Sequence, residues 1–307
     1  MLLDRRLFLA VAAGAVGCGG PSEQASAPPE AAAGKMFEHP LGAQLYTVRS
    51  VLPEDPAKVL QDLAAIGYKE VEVLQLGYDE LAPLVKDAGL QAVSMHLRPG
   101  VITGVWGPTE EKPPQATLET AIPWAKQHGV SYVVMPYLPA EQRPDSLDGF
   151  KALAEKLTTA AQAAKAAGLG FAYHNHAFEF QPMEGSTPLD TLMAASDPAT
   201  VGLELDVFWV SIAGNDPVAL LQKYAGRVPL THLKDKAADA PTQFAEGAPK
   251  EAFKEVGHGV LDFPAILAAC EQAGVAHYFV EQDQTPGDPL ASLRQSYEYL
   301  HSVRLEG

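Results

Sequence analysis

From Leu41 onward, short apolar runs rich in valine, leucine and aromatic residues alternate with longer stretches in which apolar residues recur every three to four positions. Runs of the first kind read as strands buried on both faces, and the second as amphipathic helices. The stretch 55–66 is the clearest helix: Val59, Leu60, Leu63 and Ile66 share one stripe, and Gly67 ends it. The pattern predicts strands at 41–48, 70–76, 91–97, 131–135, 171–180, 201–207, 228–233 and 277–282. Helices are predicted at 55–66, 81–88, 117–128, 147–167, 189–195, 217–224, 263–273 and 289–303. Residues 98–115, with Trp106, read as a long loop, and 236–259, with Phe244, Phe253 and His258, as a lid that excludes water.

Eight strands each followed by a helix, with recurrent helix–glycine–strand junctions, predict a closed (β/α)8 TIM barrel as a single domain over residues 37–307. An open doubly wound sheet is the alternative, but no Gly-x-Gly-x-x-Gly follows the first strand. The N-terminus has a different character. Asp4-Arg5-Arg6-Leu7-Phe8-Leu9 resembles a twin-arginine export signal, and the small residues before Cys18 resemble a lipoprotein processing site. The expectation is an exported, periplasmic protein acylated at Cys18, with residues 1–18 as signal region and 19–36 as a flexible linker rich in Pro, Ala, Ser and Glu. The other cysteine, Cys270, lies in a predicted helix and reads as a small core hydrophobe. A net charge of −16 without a basic cluster argues against a nucleic-acid partner.

In such barrels chemistry collects where strands end at their C-termini. Strand one offers Gln44 and Tyr46, strand two Glu72 and Gln75, and strand three His96. Strand five carries His174, His176 and Glu179; strand six Glu204, Asp206 and Trp209. Strand seven ends in His232, Lys234 and Asp235, and strand eight in Glu281 and Asp283. One aspartate after a strand is ordinarily a helix N-cap. Histidines and carboxylates at the same end of four successive strands are instead metal-ligand chemistry. The mixture of oxygen and imidazole donors suits one divalent ion, Mn2+, Mg2+, Co2+ or Zn2+, without choosing among them.

The segments Gly-Ala-Gln-Leu-Tyr-Thr-Val-Arg (42–49), Tyr-His-Asn-His-Ala-Phe-Glu-Phe (173–180), Leu-Asp-Val-Phe-Trp (205–209), His-Leu-Lys-Asp (232–235) and Val-Gly-His-Gly-Val-Leu-Asp-Phe (256–263) follow one another in a specific order and spacing. Together they resemble the xylose-isomerase-like barrel superfamily of sugar isomerases and epimerases, over essentially the whole chain after the linker. That resemblance implies a metal held by Glu, Asp, His and Glu from strands five to eight. Asp206, His232 and Glu281 match the last three. Strand five departs, so either His174 takes the ligand place or Glu179 reaches back to supply a carboxylate. Trp209 stands where the family's epimerases often have a histidine.

The chemistry expected of such a site is proton abstraction next to a carbonyl, through a metal-stabilised enediolate. His176 is the candidate base, Glu281 a ligand and second base, and Lys234 a group that fixes a hydroxyl or neutralises the enediolate. Gln44, Tyr46, His96, Trp209 and Glu179 are the candidate substrate contacts. The outcome is isomerisation or epimerisation of a free sugar or keto-sugar, with elimination from a 3-keto-glycoside as an alternative. A further alternative is a lipid-anchored sugar-binding protein without catalysis. A homo-oligomer is compatible with all of these.

Overall fold

The computed structural model describes residues 34–305 apart from 109 and 246. The twin-arginine segment, Cys18 and most of the linker lie outside the described residues. Eight parallel strands close into a barrel in sequence order: Leu41–Gln44, Glu70–Leu74, Gln91–His96, Tyr132–Met135, Gly170–His174, Val201–Asp206, Leu230–Leu233 and His277–Val280. The eighth pairs with both the seventh and the first, so no edge is left open. Helices cross back between strands, packing a large apolar shell of valine, leucine, alanine and aromatic side chains against the barrel wall. Most begin at a side-chain cap, such as Asp55, Ser146, Thr187 and Asp262.

Strand periodicity divides the barrel interior into layers. Alternate residues point inward, and Val93, Val134, Ala172, Leu230 and Phe279 form a separate apolar floor, all fully buried. Gly42 makes room for that floor: a Cβ there would lie 2.4 Å from Cδ1 of Phe279. Two residues further along the same strands come Gln44, His174, His232 and Glu281. A polar layer thus sits on an apolar one at the barrel's C-terminal end.

The structure departs from the predicted pattern in definite places. The first strand stops at Gln44, whose side chain accepts from the Tyr46 N–H and starts a 3-10 turn over Leu45–Val48. The fifth stops at His174, so His176 lies beyond it. Pro99–Thr103 forms a short helix inside the predicted 98–115 loop, and Val207–Ile212 another that follows strand six directly. Within the predicted lid, Phe253–Lys254 pairs with Asp235–Lys236, and the Phe253 ring stacks on Phe208 with centroids 4.3 Å apart. Phe253 is therefore packed rather than free to swing. Lys35 and Met36, assigned above to the linker, pair antiparallel with Arg304–Leu305 and belong to the barrel body.

Candidate metal centre

His174, Asp206, His232 and Glu281 arrive from the ends of four neighbouring strands with one ligand atom each, all within 4.8 Å of one another. Asp206 is held in place by its neighbours: its N–H donates to Asn175 Oδ1, and its Oδ1 accepts from the N–H groups of Phe208 and Trp209. That leaves Oδ2 facing the centre. His174 Nε2 and His232 Nδ1 stand 3.7 and 3.8 Å from this oxygen, and His232 Nδ1 is 2.8 Å from Glu281 Oε2. All four side chains are buried.

Beneath them lies a second group, Glu72, His96 and Glu204, that reaches the same two histidines from below. Glu72 Oε1 is 2.6 Å from His232 Nε2 and 2.8 Å from His96 Nε2. Glu204 Oε2 is 3.0 Å from His96 Nε2 and 3.2 Å from His174 Nδ1. Glu72 also accepts from Ser94 Oγ at 2.6 Å and Gln44 Nε2 at 2.9 Å. Glu72, Glu204 and Asp283 appeared in the sequence as strand-end carboxylates without an assigned role. Their connection runs across the barrel between residues as much as 160 positions apart, which local spacing does not reveal.

Lys234 is almost wholly buried, its Nζ 2.9 Å from Asp206 Oδ2, 2.5 Å from Glu281 Oε2 and 3.0 Å from Asp283 Oδ1. Burial opposes its charge, but Asp206, Asp283 and Glu281 outweigh that and hold its pKa well above the usual lysine value. Burial likewise opposes ionisation of Glu281, yet Lys234 and His232 keep its carboxyl well below the ordinary range. Glu204 moves the other way, pushed up to about 7 by burial and by the neighbouring Glu72. Burial and Lys234 hold His176 well below the usual imidazole value, so it is neutral.

The remaining expected contacts divide. Trp209 is buried, with its ring 5.2 Å from that of His176. His176 in turn packs against Tyr137, and its Nδ1 has no hydrogen-bond partner. His96 lines a cavity of about 370 Å³ together with Gln75, Arg98, Tyr137 and Glu141, a size in the range of small-molecule sites. Two assignments need correction. Gln44 is fully buried, its amide spent on Glu72 and His96, so it supports the centre without touching substrate. Glu179 is also fully buried, taking the Tyr173 hydroxyl at 2.7 Å and the His176 N–H at 2.9 Å, and it is outside the group of common ligand atoms. Tyr46, just past the end of strand one, is 40% exposed with the Arg49 guanidinium over its ring.

The donor set fits a divalent cation. Asp206 Oδ2 is buried and accepts no well-directed hydrogen bond, although Lys234 Nζ lies 2.9 Å away. Buried polar atoms left unmatched cost about 1–3 kcal/mol each. Asp206, Glu281 and Asp283 face one lysine, so this corner carries more carboxylate than fixed positive charge.

A closed parallel barrel with mixed imidazole and carboxylate donors at its C-terminal end defines a class of metal-site TIM barrels. Residues 60–303 match the profile of the xylose isomerase-like TIM barrel, and the chain belongs to that family. Among curated relatives, the rhizopine catabolism protein MocC of Rhizobium meliloti is 30% identical over 161 residues, 49% of either chain. The chain thus spans about half the length of that relative, as it does for several of the others it matches. An inosose dehydratase of Geobacillus kaustophilus is 25% identical over 272 residues, 79% of this chain and 85% of the relative. A crystal structure of a sugar phosphate isomerase/epimerase from Parabacteroides distasonis superposes with a TM-score of 0.69 at 26% identity, covering 87% of this chain and 99% of that one.

Proposed function

We propose that the protein is a metal-dependent enzyme that moves a proton next to the carbonyl of a sugar or keto-sugar, with isomerisation or epimerisation as the outcome. The observation that carries this reading is the convergence of His174, Asp206, His232 and Glu281 on one position at the ends of strands five to eight. These four residues would hold the ion. A divalent cation there supplies Lewis acidity, drawing electron density from a substrate carbonyl and acidifying the neighbouring C–H.

The chain's own groups supply the rest. His176 is neutral and half-buried, so its ring has a nitrogen lone pair that can take a proton. Trp209 and Tyr137 flank its ring and limit water around the transfer. Lys234 offers an ammonium to negative charge developing on substrate oxygen, and it can fall back on Asp283 when Asp206 and Glu281 are otherwise engaged.

Elimination is a second reading, favoured by the similarity to an inosose dehydratase over most of the chain. It begins with the same proton abstraction and ends with loss of a leaving group from the adjacent carbon. For both, the test is deuterium uptake from heavy water into a panel of sugars and 3-keto-glycosides, with and without Mn2+. Metal-dependent exchange supports the proposal. Substrate binding unaffected by chelation, with no exchange in any sugar tested, would point to a binding protein and refute catalysis.

A further inference from the structure

His174 and His232 each present one ring nitrogen upward, to Asp206 and Glu281, and the other downward, to Glu204 and Glu72. The same two rings could therefore ligate a cation in either layer. Hydrogen-bond bookkeeping in the lower layer decides between them.

That layer is anchored at Gln44. Its Oε1 accepts from the Tyr46 N–H at 2.7 Å, which fixes the amide orientation and turns its NH2 inward. That NH2 has two protons and two partners, Glu72 Oε1 at 2.9 Å and His96 Nδ1 at 3.2 Å. His96 Nδ1 is thus the acceptor, and the ring's proton sits on Nε2, aimed at Glu72 and Glu204. A nitrogen that carries its proton has no lone pair for a metal. Glu72, an acceptor to every neighbour, likewise takes the Nε2 proton of His232, 2.6 Å away, while Nδ1 of that ring meets Glu281 Oε2 at 2.8 Å, a contact that a cation between the two would replace. For His174, Nδ1 is the nitrogen that faces Glu204 Oε2, at 3.2 Å, so with Glu204 ionised the ring proton is placed on Nδ1 and Nε2 is left toward Asp206.

We infer that Gln44, Glu72, His96 and Glu204 form a positioning layer that assigns the metal-facing nitrogens: Nδ1 of His232 and Nε2 of His174. The inference rests on the metal-dependent reading above and adds to it a fixed, mixed mode of imidazole coordination. The lower group is then the support of the metal centre, and not a second cation site. The arrangement follows the general pattern in which a ligating histidine hands its other N–H to a carboxylate that orients it. Glu72 and Glu204 are positioning residues, since they act through the two rings.

The test uses the full folded protein loaded with Zn2+ and labelled with 15N-histidine. Long-range proton–nitrogen spectra should show His232 as the Nε2–H form with Nδ1 metal-bound, and His174 as the Nδ1–H form with Nε2 metal-bound. His96 should be free of metal. Metal on Nε2 of His232, or on His96, would overturn the assignment while leaving the metal-dependent reading intact; failure to bind Zn2+ at all would remove both. Glu72→Gln and Glu204→Gln provide a second measurement, by competition with a chelator of known Zn2+ affinity. The expected result is a loss of affinity of about 10- to 100-fold, with circular dichroism unchanged. Wild-type affinity in both variants would contradict the role, and a variant that fails to fold leaves the spectra of the unaltered protein to decide.

Discussion

Asp235 offers a direct measure of what holds the segment 256–261 in place. Its carboxylate is fully buried and accepts four backbone N–H groups: Lys236 at 2.7 Å and Leu261 at 3.1 Å on Oδ1, Gly257 at 3.0 Å and Gly259 at 2.8 Å on Oδ2. Gly259 permits this close approach, since a Cβ there would fall 2.3 Å from Asp235 Oδ1. In Asp235→Asn one oxygen becomes an NH2 that faces two donors. A hydrogen bond to a charged group contributes about 1.5–3 kcal/mol, so two lost bonds amount to about 3–6 kcal/mol. Burial raises the pKa of Asp235 against the pull of those N–H groups, and removing the charge returns part of that desolvation cost. The expected net loss is about 2–4 kcal/mol, felt locally because the segment can open without the barrel unfolding. Amide exchange at Gly257, Gly259 and Leu261 should then speed up by about 30- to 700-fold, at about 1.4 kcal/mol per factor of ten. Exchange within threefold of wild type at all three amides would refute the reasoning.

Other outcomes follow from the site and from the proposed acylation of Cys18. His176→Gln should keep bound metal but lose deuterium exchange, read by metal analysis and by mass spectrometry of recovered sugar. Gly42→Ala forces a methyl group against the Phe279 ring in the barrel floor, and should lower stability to urea by about 1–3 kcal/mol, as overpacked cores do. On the proposal that Cys18 is acylated after export, Cys18→Ser should release the protein from membranes without altering its activity in solution. Continued incorporation of labelled lipid into that variant would count against the anchor.

The barrel was legible because strand and helix periods differ and because glycines end the helices where the pattern stops. The location of the candidate centre was legible for a related reason: barrel strands expose their C-terminal ends together, so histidines and carboxylates ending strands five to eight pointed to one place, while the choice of Asp206, His232 and Glu281 came from the family resemblance and left His174 and Glu179 open at strand five. What escaped depended on contacts across the interior. Glu72 and His232 meet only because the barrel closes. Glu179 stood as the alternative to His174 for the strand-five ligand place, yet the chain turns into a 3-10 helix at Phe178–Phe180 and gives its carboxylate to Tyr173 and the His176 backbone. The helices Pro99–Thr103 and Val207–Ile212 span too few residues to show a period. The joining of His-Leu-Lys-Asp to Val-Gly-His-Gly through Asp235 has no signature in either motif read separately.

The apolar plug of Val93, Val134, Ala172, Leu230 and Phe279 also governs traffic. It stoppers the barrel from below, so under the proposed function a metal ion and a sugar would share the doorway at the opposite end. Whatever occupies that doorway last controls what leaves first: a bound sugar should shield the ion, and chelators should strip the metal more slowly from the occupied enzyme than from the empty one.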